Sequence, residues 1–396
     1  MPNARTPARH GPLPTDVHAL FGAPLPNRIA AAAFALVPGV GPVRWRALVT
    51  RYDGDAARAA AAYGTPPAIW KQALDDATRH LGADTDTGRL LVAGDAGYPR
   101  ALLDLPDAPP LLWVRGQLAA LAAAPAVALV GTRHNSSAGA HAARRLVTSL
   151  RDTGAGVISG MARGIDGVVH DAALAAGLVT VAVLGTGVDV PYPAQHRRLY
   201  ARIVEAGAVV SEQPPGTTAA PGAFPRRNRI IAALADCTVV VEAGERSGAL
   251  ITADVALDLG RTVAAVPGPI DSEVSAGANA LLRDGAHVLA TVDDLLPLLR
   301  TTAVRTAPPL APRTPERSSS PTPTRSSAIR PPSARSTADL HGDERTLWDA
   351  LVEPALDADA AAERAGLSAR RCAAALAHLE LRGAVVTEIS GAIQRL

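Results

Sequence analysis

VALVGTRHNSSAG, Val127–Gly139, decides the fold. A short apolar run ends in a glycine-led polar loop, and Ala140–Leu150 then continues with helical spacing. Strand, small-residue loop and helix together make the repeating unit of a parallel α/β sheet, whose strands are apolar on both faces. The pattern recurs outward from this point, predicting strands at Val127–Val130, Val157–Ser159, Thr180–Leu184, Ala208–Ser211, Thr238–Glu242 and Thr262–Val266. Helices are expected between them, for example over Ala140–Leu150 and Gly167–Ala176. The predicted fold class is α/β, an extended Rossmann-like parallel sheet with its working loops at the strand C-termini.

Residues 88–300 belong to this sheet, and four further segments flank it. Residues 1–27 carry prolines and little periodicity, as a flexible arm does. Residues 28–87 are helical and include LVPGVGPVRWRALVTRY, where Gly39 and Gly41 join two short helices. That hairpin is of the SAM or helix-hairpin-helix kind, in which backbone amides hold a phosphate; a packed helical turn is the other reading. Residues 301–338 are dominated by Pro, Ser, Thr and Arg and should form an extended linker. Residues 339–396 resume helical spacing, with a helix after Ser368 carrying Arg370 and Arg371, and end in two short strands around Ser390 and Gly391. This is the outline of a winged helix, which binds duplex DNA or another protein.

The chain has 396 residues, 48% of them hydrophobic, enough for a large core. Its net charge of +2 decides nothing about partners, so any basic surface must come from local clustering. Lys71 is the only lysine among 39 cationic residues. Arginine suits phosphate and base contacts, although a GC-rich genome gives the same bias. Cys237 and Cys372 lie too far apart in sequence for a metal spacing, and Ile29–Val37 is too short to span a bilayer. A reducing cytoplasm fits, with no membrane association expected.

The absence of a lysine from every glycine-rich loop excludes a P-loop ATPase and Schiff-base catalysis. No Gly-x-Gly-x-x-Gly follows a strand, and GVISG around Ser159 misses the nucleophile-elbow spacing. Asp166 and His170 read as a helix-starting carboxylate and a buried histidine rather than a ligand pair. No catalytic group, metal or cofactor is expected. The loops instead repeat glycines, hydroxyls and arginines at one sheet edge: GTRHNSSAG, SGMARGID (Ser159–Asp166), GTGVDVPYP (Gly185–Pro193), FPRRNR (Phe224–Arg229) and SGALIT (Ser247–Thr252). Small residues admit backbone amides to an anion, and helix N-termini add positive charge. In FPRRNR, Phe224 can stack on a base while Arg226, Arg227 or Arg229 meets phosphate, which suits an unpaired strand. The bland reading puts Phe224 in the core and the arginines in internal ion pairs.

In this order and spacing, VGTR, RxxSxxG, SGMARGID, VHDAAL, GTGVDVPYP, SEQPPG, FPRRNRIIAAL, VVEAGERSGALITA and AVPG resemble the DprA or Smf family of DNA-processing proteins. The resemblance implies a cytoplasmic protein of natural transformation that binds and protects single-stranded DNA, loads the RecA recombinase and dimerises through its Rossmann-like domain. It further implies phosphate contacts from Gly131, Thr132, Arg133, Ser136, Gly160, Arg163, Gly164, Asn228 and Arg229, with base stacking on Phe224 and contributions from Ser247 and Gly248. The chain departs from the family pattern just before Phe224, where Ala219–Ala223 supply no basic residue. Two rivals remain open: a lysine-decarboxylase-like phosphoribohydrolase using Glu242, although its PGG loop is absent, and a winged-helix regulator.

Overall fold

Nine strands form one sheet in the order β1-β2-β6-β5-β4-β3-β7-β8-β9. They are β1 (Arg89–Val92), β2 (Leu111–Gly116), β3 (Ala126–Gly131), β4 (Gly156–Ser159), β5 (Thr180–Val183), β6 (Ala208–Ser211), β7 (Cys237–Glu242), β8 (Thr262–Ala265) and β9 (His287–Val288). The computed structural model describes residues 21, 25, 27–82, 88–220, 222–299, 342–351, 358–368, 371–372, 375–376, 379, 384–387 and 393–395. The chain divides into two compact units, residues 1–310 and 311–396.

All six expected strands are present, and β3 to β9 pair in parallel. Strands β1 and β2 add an antiparallel edge through β6. Their sequences, RLLV and LLWVRG, are short apolar runs near prolines, a pattern that a buried helix segment shares. Every residue of β7, and all of β3 except Gly131, is buried, because helices cover both faces.

Helix α1 (Arg28–Leu36) buries Ala30–Phe34 against α2 (Pro42–Arg51), α3 (Ala56–Tyr63) and α4 (Pro67–Leu81). Gly39 holds φ +83° in the turn before α2, a conformation that other residues rarely adopt. Trp45 packs under α1 and donates its indole N–H to the Ala31 carbonyl at 3.0 Å. The helices share one apolar core with β1 and β2 and are tied to the sheet by polar contacts. Arg28 donates to Asp95 at 2.8 Å and to the Leu90 carbonyl at 3.1 Å, and Arg46 donates to the Leu105 carbonyl at 2.5 Å.

Helix α5 (Ser137–Ser149) starts three residues ahead of expectation because Ser136 caps it, accepting the Gly139 N–H at 2.9 Å. Around the rest of the sheet lie α6 (Ile165–Ala175), α7 (Arg197–Ala206), α8 (Ala223–Leu234), α9 (Gly248–Asp258) and α10 (Ala276–Arg283).

The second unit contains α11 (Gly342–Ala350), α12 (Ala358–Ala365) and a hairpin of β10 (Val385–Thr387) with β11 (Ile393–Arg395). Leu347, Leu351, Cys372, Leu379, Val385 and Ile393 form its core. Arg371 makes a two-pronged ion pair with Asp343, at 2.7 and 2.5 Å. Arg370, the turn at Ser390 and Gly391, the linker 301–338 and almost all of the arm 1–27 lie outside the described residues.

Leu129 sits fully buried on β3 between two sheet neighbours. Leu129→Ala is expected to cost about 2–5 kcal/mol, read as a lower midpoint in denaturant at an unchanged slope.

Candidate nucleic-acid interface

Four sets of contacts draw the loops at the strand C-termini together. The first is Glu242, the last residue of β7. Its carboxylate accepts the Ser136 N–H at 2.8 Å and the Ser136 hydroxyl at 2.6 Å, while its backbone carbonyl accepts the Thr132 N–H at 2.7 Å. A side chain on Gly139 would stand 2.5 Å from that carboxylate. Glu242 is therefore engaged in fixing the first loop.

The second set joins the first loop to the second. The Thr132 carbonyl accepts the Ile165 N–H at 3.1 Å. Gly164 turns at φ +79°, where a Cβ would collide with the Thr132 carbonyl and the Arg133 backbone, and a Cβ on Gly131 would lie 2.6 Å from Ile165. These glycines admit loop to loop, a different use from the anion approach expected of them.

Arg227 makes the third set. Although it lies in FPRRNR, it points inward, is buried, and donates to the carbonyls of Gly160, at 2.6 Å, and Val183. A Cβ on Gly160 would meet its guanidinium at 2.6 Å. Burial lowers the Arg227 pKa to about 10, opposed by the neighbouring Asp166 carboxylate. Burial also pushes the Asp166 carboxyl upward, with Arg227 as the main opposing influence.

Arg229 completes the framework. Its Nε donates to Asp107 at 2.7 Å and its Nη2 to Glu212 at 2.8 Å, with the side chain only 8% exposed. Arg226 joins Glu212 at 3.0 Å from a half-exposed position. The expected phosphate contacts of Arg227 and Arg229 are thus corrected to structural ones: α8 turns both inward, and two carboxylates claim Arg229. Asn228 donates to the Gly248 carbonyl at 2.8 Å, linking α8 to α9, and Ser247 caps α9.

Arg133, Arg163 and Arg246 remain exposed at the rim. The Arg133 guanidinium lies over the Phe224 ring, 5.7 Å from its centroid, and the Tyr192 ring lies 5.0 Å from Phe224. Two cavities meet at this group. One, of about 520 Å³, includes Thr132, His134, Asn228, Arg246, Ser247 and Gly248 in its lining; the other, of about 280 Å³, includes Gly160, Arg163, Tyr192 and Gln195. Arg133, Ala162, Phe224 and Arg227 line both, so the cavities form one groove. Asp166 and Glu273 also line the larger cavity. Sequence reasoning missed Arg246 and Tyr192, although an aromatic residue in a Gly-Pro loop is a usable signal in a chain with 3% aromatics.

A family model described as DNA recombination-mediator protein A matches residues 89–300. The chain belongs to that family. A DprA winged helix domain model matches residues 331–391. A putative DNA processing protein DprA of Mycobacterium tuberculosis is 48% identical over 189 residues, 48% of this chain and 49% of that protein. The DNA processing protein DprA of Streptococcus pneumoniae is 40% identical over 223 residues, 56% of this chain and 78% of that protein. The chain thus spans about half the length of the mycobacterial relative and more of the pneumococcal one. The X-ray structure of pneumococcal DprA superposes with a TM-score of 0.60 at 33% identity, covering 68% of this chain and 97% of that one.

His170 is buried beneath the groove. Thr180 spends its hydroxyl proton on the Val157 carbonyl, at 3.1 Å, so at 2.8 Å it accepts the proton of His170 Nδ1. Burial, then the Arg227 charge, lowers the His170 pKa to about 3. The unfolded chain therefore takes up this proton first, near pH 6.5. The resulting stability is complete above that pH and is lost as the pH falls toward 3. Melting temperature is expected to fall more steeply between about pH 7 and 4 for the wild type than for His170→Asn, which keeps Asp166. Arg229→Ala leaves Glu212 with Arg226 as its arginine partner and removes the Asp107 ion pair, and should cost about 1–3 kcal/mol, whereas Arg133→Ala should leave the melting temperature near wild type.

Proposed function

We propose that this protein binds single-stranded DNA along the groove, shields it, and passes it to a RecA-type recombinase in natural transformation or homologous recombination, catalysing no reaction itself. The observation that carries this reading is the exposed arginine rim. Arg133, Arg163 and Arg246 surround the cavities, and among the described residues no carboxylate pairs with them. Phe224 and Tyr192 stand at the same rim. Guanidinium groups beside an exposed Tyr192 and a half-buried Phe224 suit phosphates alternating with unstacked bases, which a duplex does not offer. Thr132, Ser136, Asn228, Ser247 and Gly248 serve this site chiefly by shaping the loops.

The recombinase step is supported by the family's description as a recombination mediator. Dimerisation through the Rossmann-like domain is supported by exposed apolar residues on its β8–β9 half: Ile251 and Leu257 on α9, Ile270 after β8 and Val288 on β9. Duplex contacts would fall to the Gly39–Gly41 hairpin or the winged helix. A cytoplasmic location suits such a partner, and among the described residues no helix is long and apolar enough to cross a membrane.

Fluorescence anisotropy with single-stranded and duplex oligonucleotides tests the reading. Tighter single-strand binding is expected, and Arg133→Ala/Arg163→Ala/Arg246→Ala should weaken it at least about tenfold. The slope of log affinity against log salt should become shallower by about 2, at roughly 0.7 for each lost phosphate contact. Equal binding by wild type and triple variant at matched salt would refute the site.

A further inference from the structure

Helix α5 starts at the groove and carries a cationic stripe away from it. Its cap, Ser136, is held by Glu242, which places the start of the helix directly after Arg133 and His134. His134 lines the larger cavity. Along the helix, His141, Arg144, Arg145 and Thr148 are all exposed. Their spacing of three, four and seven puts them on one face. With Ser149 and Val292 they line a shallow depression of about 370 Å³. Thr148 and Ser149 donate their hydroxyls to carbonyls of their own helix, at 2.8 Å each. Among the described residues neither Arg144 nor Arg145 is paired with a carboxylate.

Accepting the proposed single-strand binding in the groove, we infer that the same strand continues past Arg133 and His134 along the outer face of α5, with Arg144 and Arg145 neutralising its phosphates. Two features select this occupant. The face lies on the helix that the groove loop of Arg133 and His134 leads into, and it offers guanidinium and imidazole groups with Val292 as the one apolar lining residue. A protein partner would need an apolar or aromatic anchor that this surface lacks. From Ser136 to Thr148 the helix rises about 18 Å. At about 3.4 Å per nucleotide that length accommodates roughly five further nucleotides, fewer if the strand is stretched. The surface is a second, sequence-independent segment of one binding track, lengthening the stretch of strand each molecule covers.

The test uses the full chain and two oligothymidylates, one just long enough to fill the groove and one about ten nucleotides longer. Arg144→Gln/Arg145→Gln should bind the short strand like wild type and the long strand several-fold more weakly. Its salt slope on the long strand should be shallower by about 1.4, the share of two phosphate contacts. Arg144→Lys/Arg145→Lys should restore long-strand binding, because lysine supplies the same point charge. Identical long-strand affinity and salt slope for wild type and the glutamine variant would overturn the extension while leaving the groove reading intact. Failure of the wild type to bind either strand would instead remove the groove reading on which the extension rests.

Discussion

The charge of Arg227, held away from water among strand-end carbonyls, is the constraint on which the other loop positions depend. A buried guanidinium is costly unless its donors are met, and here Gly160, Val183 and Asn228 meet them beside Asp166. That requirement fixes where β4 and β5 end relative to α8. A Cβ on Gly160 would stand 2.6 Å from that guanidinium, so glycine lets Arg227 sit there without being displaced. Phe224, three residues earlier on α8, is thereby set at the groove with Arg133 over its ring.

The arginines divide between interior and rim. Arg227 and Arg229 make their bonds within the protein, and Arg226 shares Glu212 with Arg229. Arg133, Arg163 and Arg246 face solvent on loops whose backbones are held by Glu242, Thr132 and Gly164. A rim of charges on rigid loops is suited to a polyanion, since the loops need little reordering when the ligand binds. The inner arginines keep the outer ones in register.

Much of this was legible in the chain. The strand positions followed from runs of apolar residues bounded by glycine, and β3 to β8 lie within a residue or so of their expected ends. The ordered motifs marked the family and the rim loops, including Arg133, Arg163 and Phe224. Strands β1 and β2 were not legible, because runs such as RLLV carry no periodicity that separates strand from buried helix. Nor was the role of each motif glycine, since approach to an anion and approach to another loop demand the same small residue.

The sequence alone determined that a parallel sheet with polar, arginine-bearing loops would form, because hydrophobic periodicity and loop chemistry are local properties of neighbouring residues. Only the tertiary structure decided which arginines face outward. FPRRNR presents three guanidinium groups as equals, yet helical geometry and the distant carboxylates of Asp107 and Glu212 commit Arg229 to the interior, as the Gly160 and Val183 carbonyls commit Arg227. Those partners lie from 17 to 122 residues away, and no pattern within the motif records them.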